Sequence, residues 1–166
     1  MHVALTRTRI IVIVVLALGI GGYFLVDWLV VTERDHVQDV ILDLAEAVEQ
    51  KDFDVCAVNL DNECRLLGRP IANIEAFCRA AMECYPVDEV DTFDVDIRFD
   101  ENDPDRAVAK VQTSIRLRDY DQGRLIDWEL VLVRRGERDW RVIDITPYDR
   151  LTGDQIFLTQ IEWLLR

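Results

Sequence analysis

Beyond Asp91 the chain alternates apolar and polar residues over four long stretches, a pattern that no helix can bury on one face. Phe93, Val95, Ile97 and Phe99 stand against Asp94, Asp96, Arg98 and Asp100. Ala107, Ala109, Val111, Thr113, Ile115 and Leu117 then alternate with Lys110, Gln112, Ser114, Arg116 and Arg118. A third stretch carries Ile126, Trp128, Leu130 and Leu132 on one parity, and Trp140 to Ile145 makes a fourth. Period two with one apolar parity is the signature of strands that cover a core with one face only. The turn-rich segments Asp119 to Arg124 and Arg134 to Glu137 join them as hairpins. The expectation is an antiparallel meander whose inner face, pocket or core, holds Phe93, Val95, Ile97, Trp128, Leu130, Trp140 and Val142.

Upstream the period is 3.6. Val37, Val40, Ile41, Leu44, Ala45 and Val48 form one stripe, with Asp39, Asp43, Glu46 and Glu49 opposite, which predicts an amphipathic helix from Asp35 to Gln50. Asp52 or Asp54 can cap a second helix with the stripe Phe53, Cys56, Ala57 and Leu60. A third helix follows Gly68-Arg69-Pro70, buries Ile71, Ile74, Phe77, Cys78, Ala81 and Tyr85, and stops at Pro86. After the strands, Thr152-Gly153-Asp154-Gln155 reads as a capping box that opens a short amphipathic C-terminal helix over 151–166. Helices followed by a run of strands make an α+β domain, helices packed on a curved antiparallel sheet, over residues 35–150.

The amino terminus is of another kind. After a short tail, residues 1–9, the segment Ile10 to Val26 has 17 consecutive uncharged residues, about 25 Å of helix. Continuing to Val31 gives 22 residues and about 33 Å, enough for a hydrocarbon core of about 30 Å. A cleaved signal peptide would have to be cut after Ala17-Leu18-Gly19, leaving a new terminus that is again strongly apolar, so an uncleaved transmembrane signal-anchor helix over 10–31 is expected. Arg7 and Arg9 precede the span, which orients the amino terminus toward the cytoplasm and the domain outside it, as a single-pass protein of the plasma (inner) membrane. Ala17 and Gly21 have the small-xxx-small spacing of closely packed anchors, which ordinary membrane helices also contain.

Charge and residue inventory remove several functions. The chain has 32 acidic and 19 basic side chains, a net charge of −13. Met1 to Val31 holds only Arg7, Arg9 and Asp27, so the body is more acidic than the whole. Such a surface repels phosphate backbones, and nucleic acid is not an expected partner. His2 and His36 are the only histidines and Ser114 the only serine, which leaves no ordinary nucleophile-and-base set. Phosphate-binding glycine loops, Cys-x-x-Cys pairs and histidine clusters are missing, so no cofactor and no metal is implied. The carboxylates of Asp100 to Asp105 lack the glycine and distal glutamate of a helix-loop-helix calcium site and read as a hydrated hairpin loop.

The Ala47-Val48-Glu49-Gln50-Lys51-Asp52-Phe53-Asp54 junction between two helices, a third helix, and strands ending in Trp140-Arg141-Val142 together resemble the nuclear transport factor 2-like superfamily over about Asp35 to Thr146. That resemblance implies a cone-shaped sheet around a pocket closed by helices, used by some members for catalysis and by others for binding or assembly. Members that isomerise, dehydrate or hydrolyse small molecules place an Asp or His on the pocket side of a strand, often with a Tyr. Asp144 shares parity with Trp140 and Val142 and is the candidate base, with Tyr85 the nearest hydroxyl; the competing reading of Asp144 is a turn cap before Thr146-Pro147.

Four cysteines in a domain expected to face an oxidising compartment allow three complete pairings. If the second and third helices run antiparallel, Cys64 with Cys78 and Cys56 with Cys84 would nest; buried free thiols are the alternative. The functional expectation is a membrane-anchored extracytoplasmic binding or scaffolding domain without catalysis. Its partners would be the lipid bilayer through residues 10–31 and, beside that, a second copy or a membrane-complex component. Two alternatives stand: a membrane-tethered small-molecule isomerase, dehydratase or hydrolase, and an assembly subunit of secretion-system type, since the inner-membrane scaffold component of type IV secretion systems is similar in layout.

Overall fold

The computed structural model describes residues 32–73, 75–84, 87–118 and 124–156. The expected membrane span, Tyr85, Pro86 and most of the expected C-terminal helix lie outside these. No helix among the described residues is long and apolar enough to cross a membrane. The fold below is that of the unit beginning at Glu33.

Helix α1, Glu33–Gln50, buries Val37, Ile41 and Ala47 and leaves its acidic face in solvent. It ends at Lys51, whose φ of 60° breaks the helical path. Asp52 then caps α2, Phe53–Asn59, its carboxylate accepting the amide N–H groups of Asp54 and Val55 at 3.0 and 3.2 Å. This is the side-chain cap that an exposed first turn needs to satisfy its free donors.

The apolar stripe expected to carry α2 through Leu60 is cut short. Leu60 instead begins strand β1, Leu60–Leu66, and a two-residue turn, with Leu67 and Gly68 at φ of 55° and 73°, returns the chain as β2, Arg69–Pro70. A left-handed pair is the turn that suits the twist of a tight hairpin, and glycine accepts it without steric cost. A short 3-10 turn, Ile71–Asn73, leads toward α3, Glu75–Cys84.

Strands β3, Val87–Phe99, β4, Arg106–Leu117, β5, Arg124–Gly136, and β6, Asp139–Asp149, form the antiparallel meander. β1 joins it parallel to β6, so the six-stranded sheet, in the order β2-β1-β6-β5-β4-β3, is mixed rather than wholly antiparallel. The inner face of the sheet and α1 enclose one core, with Val37 and Ile41 from the helix set against Cys64, Ala107, Ala109, Leu132, Trp140 and Val142. Thr152 to Ile156 is not helical: Gln155 bridges back to Tyr148 and Ile156 is buried, so no helix starts at the expected capping box.

Two of the sheet's bulges move residues expected on the inner face away from it. On β3, Thr92 lies opposite Thr113 and Asp94 opposite Gln112, so Phe93 is an extra residue. On β6, Val142 lies opposite Leu132 and Asp144 opposite Val131, with Ile143 the extra residue. Each inserted residue reverses the parity of everything on one side of it.

Candidate functional site

Between α1 and the sheet lies a cavity of about 250 Å³. Ile41, Leu44, Ala45 and Val48 of α1 form its roof, and Phe53 and Cys56 of α2 with Cys78 of α3 close one side. The sheet supplies Val90, Thr92, Val111, Thr113, Ile115, Trp128, Leu130 and Ile145 as floor, while Leu60, Leu66 and Ile71 complete the wall. None of these side chains is a carboxylate, an imidazole or a cation.

The wall includes few side chains with polar atoms, and the surface it presents to the cavity is almost wholly apolar. Trp128 Nε1 donates to Thr113 Oγ1 at 2.8 Å, and the Thr113 hydroxyl in turn lies 3.5 Å from the carbonyl oxygen of Ile126. Thr92, directly across the ladder from Thr113, has a buried hydroxyl with no hydrogen-bond partner among the described residues. The Cys56 and Cys78 thiols are the remaining heteroatoms. Burial, with the Asp52 and Cys78 charges adding to it, pushes Cys56 up to about 11, and burial also raises Cys78, with Glu75 contributing. At neutral pH both are protonated and act as small apolar wall groups, not nucleophiles.

The architecture is matched among solved structures. A protein with this cone fold from Cytophaga hutchinsonii, described as NTF2-like, superposes with a TM-score of 0.55 at 19% identity, covering 70% of this chain and 98% of that one. The fold is the nuclear transport factor 2-like cone. An uncharacterised protein with a cystatin-like fold from Caulobacter vibrioides gives 0.55 at 16% identity over 78% and 93% of the two chains. A candidate ketosteroid isomerase from Shewanella frigidimarina gives 0.54 at 13%, over 66% and 92%. At these identities the likeness is one of fold, which hosts many chemistries. No protein-family model matches the sequence, and no curated protein does.

Within the nuclear transport factor 2-like cone, the residues singled out in the sequence separate into groups. Trp128 and Leu130 line the cavity, whereas Val95, Ile97, Trp140 and Val142 belong to the core beside it. Phe93 does neither: the β3 bulge turns it outward, 51% exposed, with the Arg150 guanidinium 5.5 Å above its ring. The position that alternation assigned to Phe93 is taken by Thr92.

Asp144 is displaced in the same way. The β6 bulge keeps Val142 and Ile145 facing inward and sends Asp144 to the opposite face of the sheet, into a depression with Glu63, Arg65, Arg106 and Val131. Its carboxylate accepts the Thr146 hydroxyl at 3.2 Å. It therefore has no access to the cavity, and Tyr85, its proposed companion, lies outside the described residues.

The nested cysteine pairing rested on two facing helices, but Cys64 sits on β1. Cys56, Cys64 and Cys78 are free thiols, and of Cys84 only its place at the end of α3 is described. Cys64 is pushed up to about 12, first by burial and then by the charges of Asp144, Asp61 and Cys78.

Among the described residues no three His, Cys, Asp or Glu side chains gather as a metal-binding group. In the Asp100 to Asp105 loop, Asp100 and Asp103 accept the amide N–H groups of Asn102 and Asp105 at 2.8 and 3.1 Å.

Proposed function

We propose that this protein is a membrane-anchored, extracytoplasmic binding domain that holds a small apolar molecule inside its cone and performs no chemistry on it. The observation that carries this reading is the composition of the cavity wall, in which hydrocarbon side chains surround two threonines, two neutral thiols and a tryptophan. Catalysis of proton transfer needs a positioned acid or base within hydrogen-bond reach. The described lining provides none, and Asp144 stands on the other side of the sheet. An apolar concavity with a few placed polar atoms is, by contrast, the usual form of a small-molecule binding site.

The tether in this reading is the apolar segment over residues 10–31, with Arg7 and Arg9 on its cytoplasmic side. Holding a receptor for apolar compounds at a bilayer places it where such compounds accumulate.

The test uses the full chain in lipid nanodiscs with labelled isoleucine, leucine and valine methyl groups. The neutral hydrocarbon α-methylstyrene is expected to shift the methyl signals of Ile41, Leu130 and Ile145. Ala45→Phe, which fills the cavity from α1, is expected to abolish those shifts while leaving the rest of the methyl spectrum folded. A wild-type spectrum in which the cavity methyls do not respond would sink the binding reading.

A further inference from the structure

Phe157, Leu158, Ile161, Trp163, Leu164 and Leu165 crowd into a segment of ten residues, 157–166, whose only charged members are Glu162 and Arg166. The segment lies outside the described residues, but the point from which it sets out is fixed. Gln155 bridges to Tyr148, the Ile156 amide donates to the Pro147 carbonyl at 2.9 Å, and Ile156 is buried. Pro147 is paired with Trp128 on β5, and Trp128 with Val111 on β4. One cross-strand row therefore leads from Ile156 to two residues of the cavity wall.

The cavity occupies the same end of the sheet. Val90 near the start of β3, Ile115 near the end of β4 and Trp128 near the start of β5 line it, and with Ile145 of β6 they are only half-buried. Leu44 and Val48, opposite them on α1, are half-buried too, so among the described residues the cavity is open rather than sealed. Ile115 stands three strand spacings from Ile156, about 14 Å. Ten residues span about 15 Å even when helical, so the segment is long enough to cross the opening.

Chemistry matches reach. The wall carries no charged side chain, and the segment brings six large apolar ones that would form an exposed patch if left in water. A bilayer surface is the less suitable cover, because segments that lie on one usually carry a basic face, whereas this one has Arg166 as its only basic residue and follows an acidic body.

We propose that Phe157 to Arg166 docks across the open side of the cone, its apolar side chains meeting Val90, Ile115, Trp128 and Ile145, so that the chain supplies the cover of its own cavity. This goes beyond the binding reading, and it holds with or without a molecule inside.

The test is methyl–methyl cross-relaxation in the full chain in lipid nanodiscs, with isoleucine, leucine and valine methyl groups labelled. Methyls of Leu158, Ile161 or Leu164 are expected to exchange magnetisation with those of Val90, Ile115 or Ile145. In Ile161→Asp/Leu164→Asp, those signals should be lost and the Val90, Ile115 and Ile145 methyls should shift, while the core methyls of Val37, Leu132 and Val142 stay in place. Wild-type cross-relaxation from the segment only to lipid acyl chains overturns the proposal in favour of the bilayer. A signal that appears only between differently labelled copies overturns it in favour of a second copy, and no contact with the wall overturns it outright. α-Methylstyrene shifts without these contacts leave the binding reading standing and remove the cover. Contacts without a response to α-methylstyrene do the reverse.

Discussion

Replacing Trp140 by Phe tests whether the indole of β6 ties the start of α1 to the sheet. Trp140 is 2% exposed, its ring packs edge-on against Phe99 with centroids 5.7 Å apart, and its Nε1 donates to Glu33 Oε2 at 2.7 Å. Glu33 also meets Arg134 at 3.1 Å, and the Arg134 guanidinium sits 5.8 Å from the Trp140 ring. Phenylalanine keeps a ring in the core but deletes the N–H donor and part of the aromatic surface. Hydrogen bonds to charged groups contribute about 1.5 to 3 kcal/mol when shielded. The Glu33 side chain is 45% exposed, which reduces its share to about 1 kcal/mol. The lost apolar area and the gap left behind add about 1 to 2 kcal/mol. The expected destabilisation at pH 7 is then about 2 to 3 kcal/mol, out of about 5 to 15 for a typical domain.

Urea unfolding followed by circular dichroism measures the change, with an unaltered slope showing that the two-state transition is intact. The pH dependence supplies a second check. The Trp140 hydrogen bond, against the opposing effect of burial and with help from the Arg134 and His36 charges, holds the Glu33 carboxyl below its ordinary value of 4.5. A carboxylate with a depressed folded value stabilises fully above the unfolded value, and the contribution disappears as pH falls through the folded one. The difference between wild type and Trp140→Phe should therefore shrink in acid. A loss below about 1 kcal/mol, or a difference that grows as pH falls, would refute the account.

Three further outcomes are expected. Asp144→Asn should leave stability within about 0.5 kcal/mol of wild type and the cavity methyl responses unchanged; a variant that melts normally yet loses turnover of an identified small molecule would replace the binding reading with an enzyme. With Cys56 at about 11 and Cys64 at about 12, iodoacetamide at pH 8 should leave both thiols unmodified in the native protein and alkylate them once urea is added, and rapid native labelling would contradict their buried positions. A reporter fused after Arg166 should be active only outside the cytoplasm, and cytoplasmic activity would reverse the orientation inferred from Arg7 and Arg9.

Periodicity alone sufficed for the parts of this protein whose structure is local or regular. The stripe Val37, Val40, Ile41, Leu44 and Val48 marks a helix at any place in a fold, and Asp52 caps the next one through contacts two and three residues away. Likewise, the apolar parities of β4 and β5 run unbroken from Ala107 to Ile115 and from Ile126 to Leu132, so Thr113, Trp128 and Leu130 could be assigned to the inner face by counting. Tertiary structure decided what counting cannot reach. Leu60 to Leu66 continues an apolar helical stripe and becomes a strand because it completes the hydrogen bonds of β6, a partner about eighty residues away in sequence whose pull has no local signature. A bulge adds one residue without a distinctive composition, yet reverses every side chain beyond it. Phe93 and Asp144 were misplaced for that reason, and the same slip brings Thr92 to the cavity wall. The sequence thus determined the layers and most of their inner faces, while single-residue insertions at Phe93 and Ile143, visible only once the strands are paired, determined which of the candidate residues reach the cavity wall.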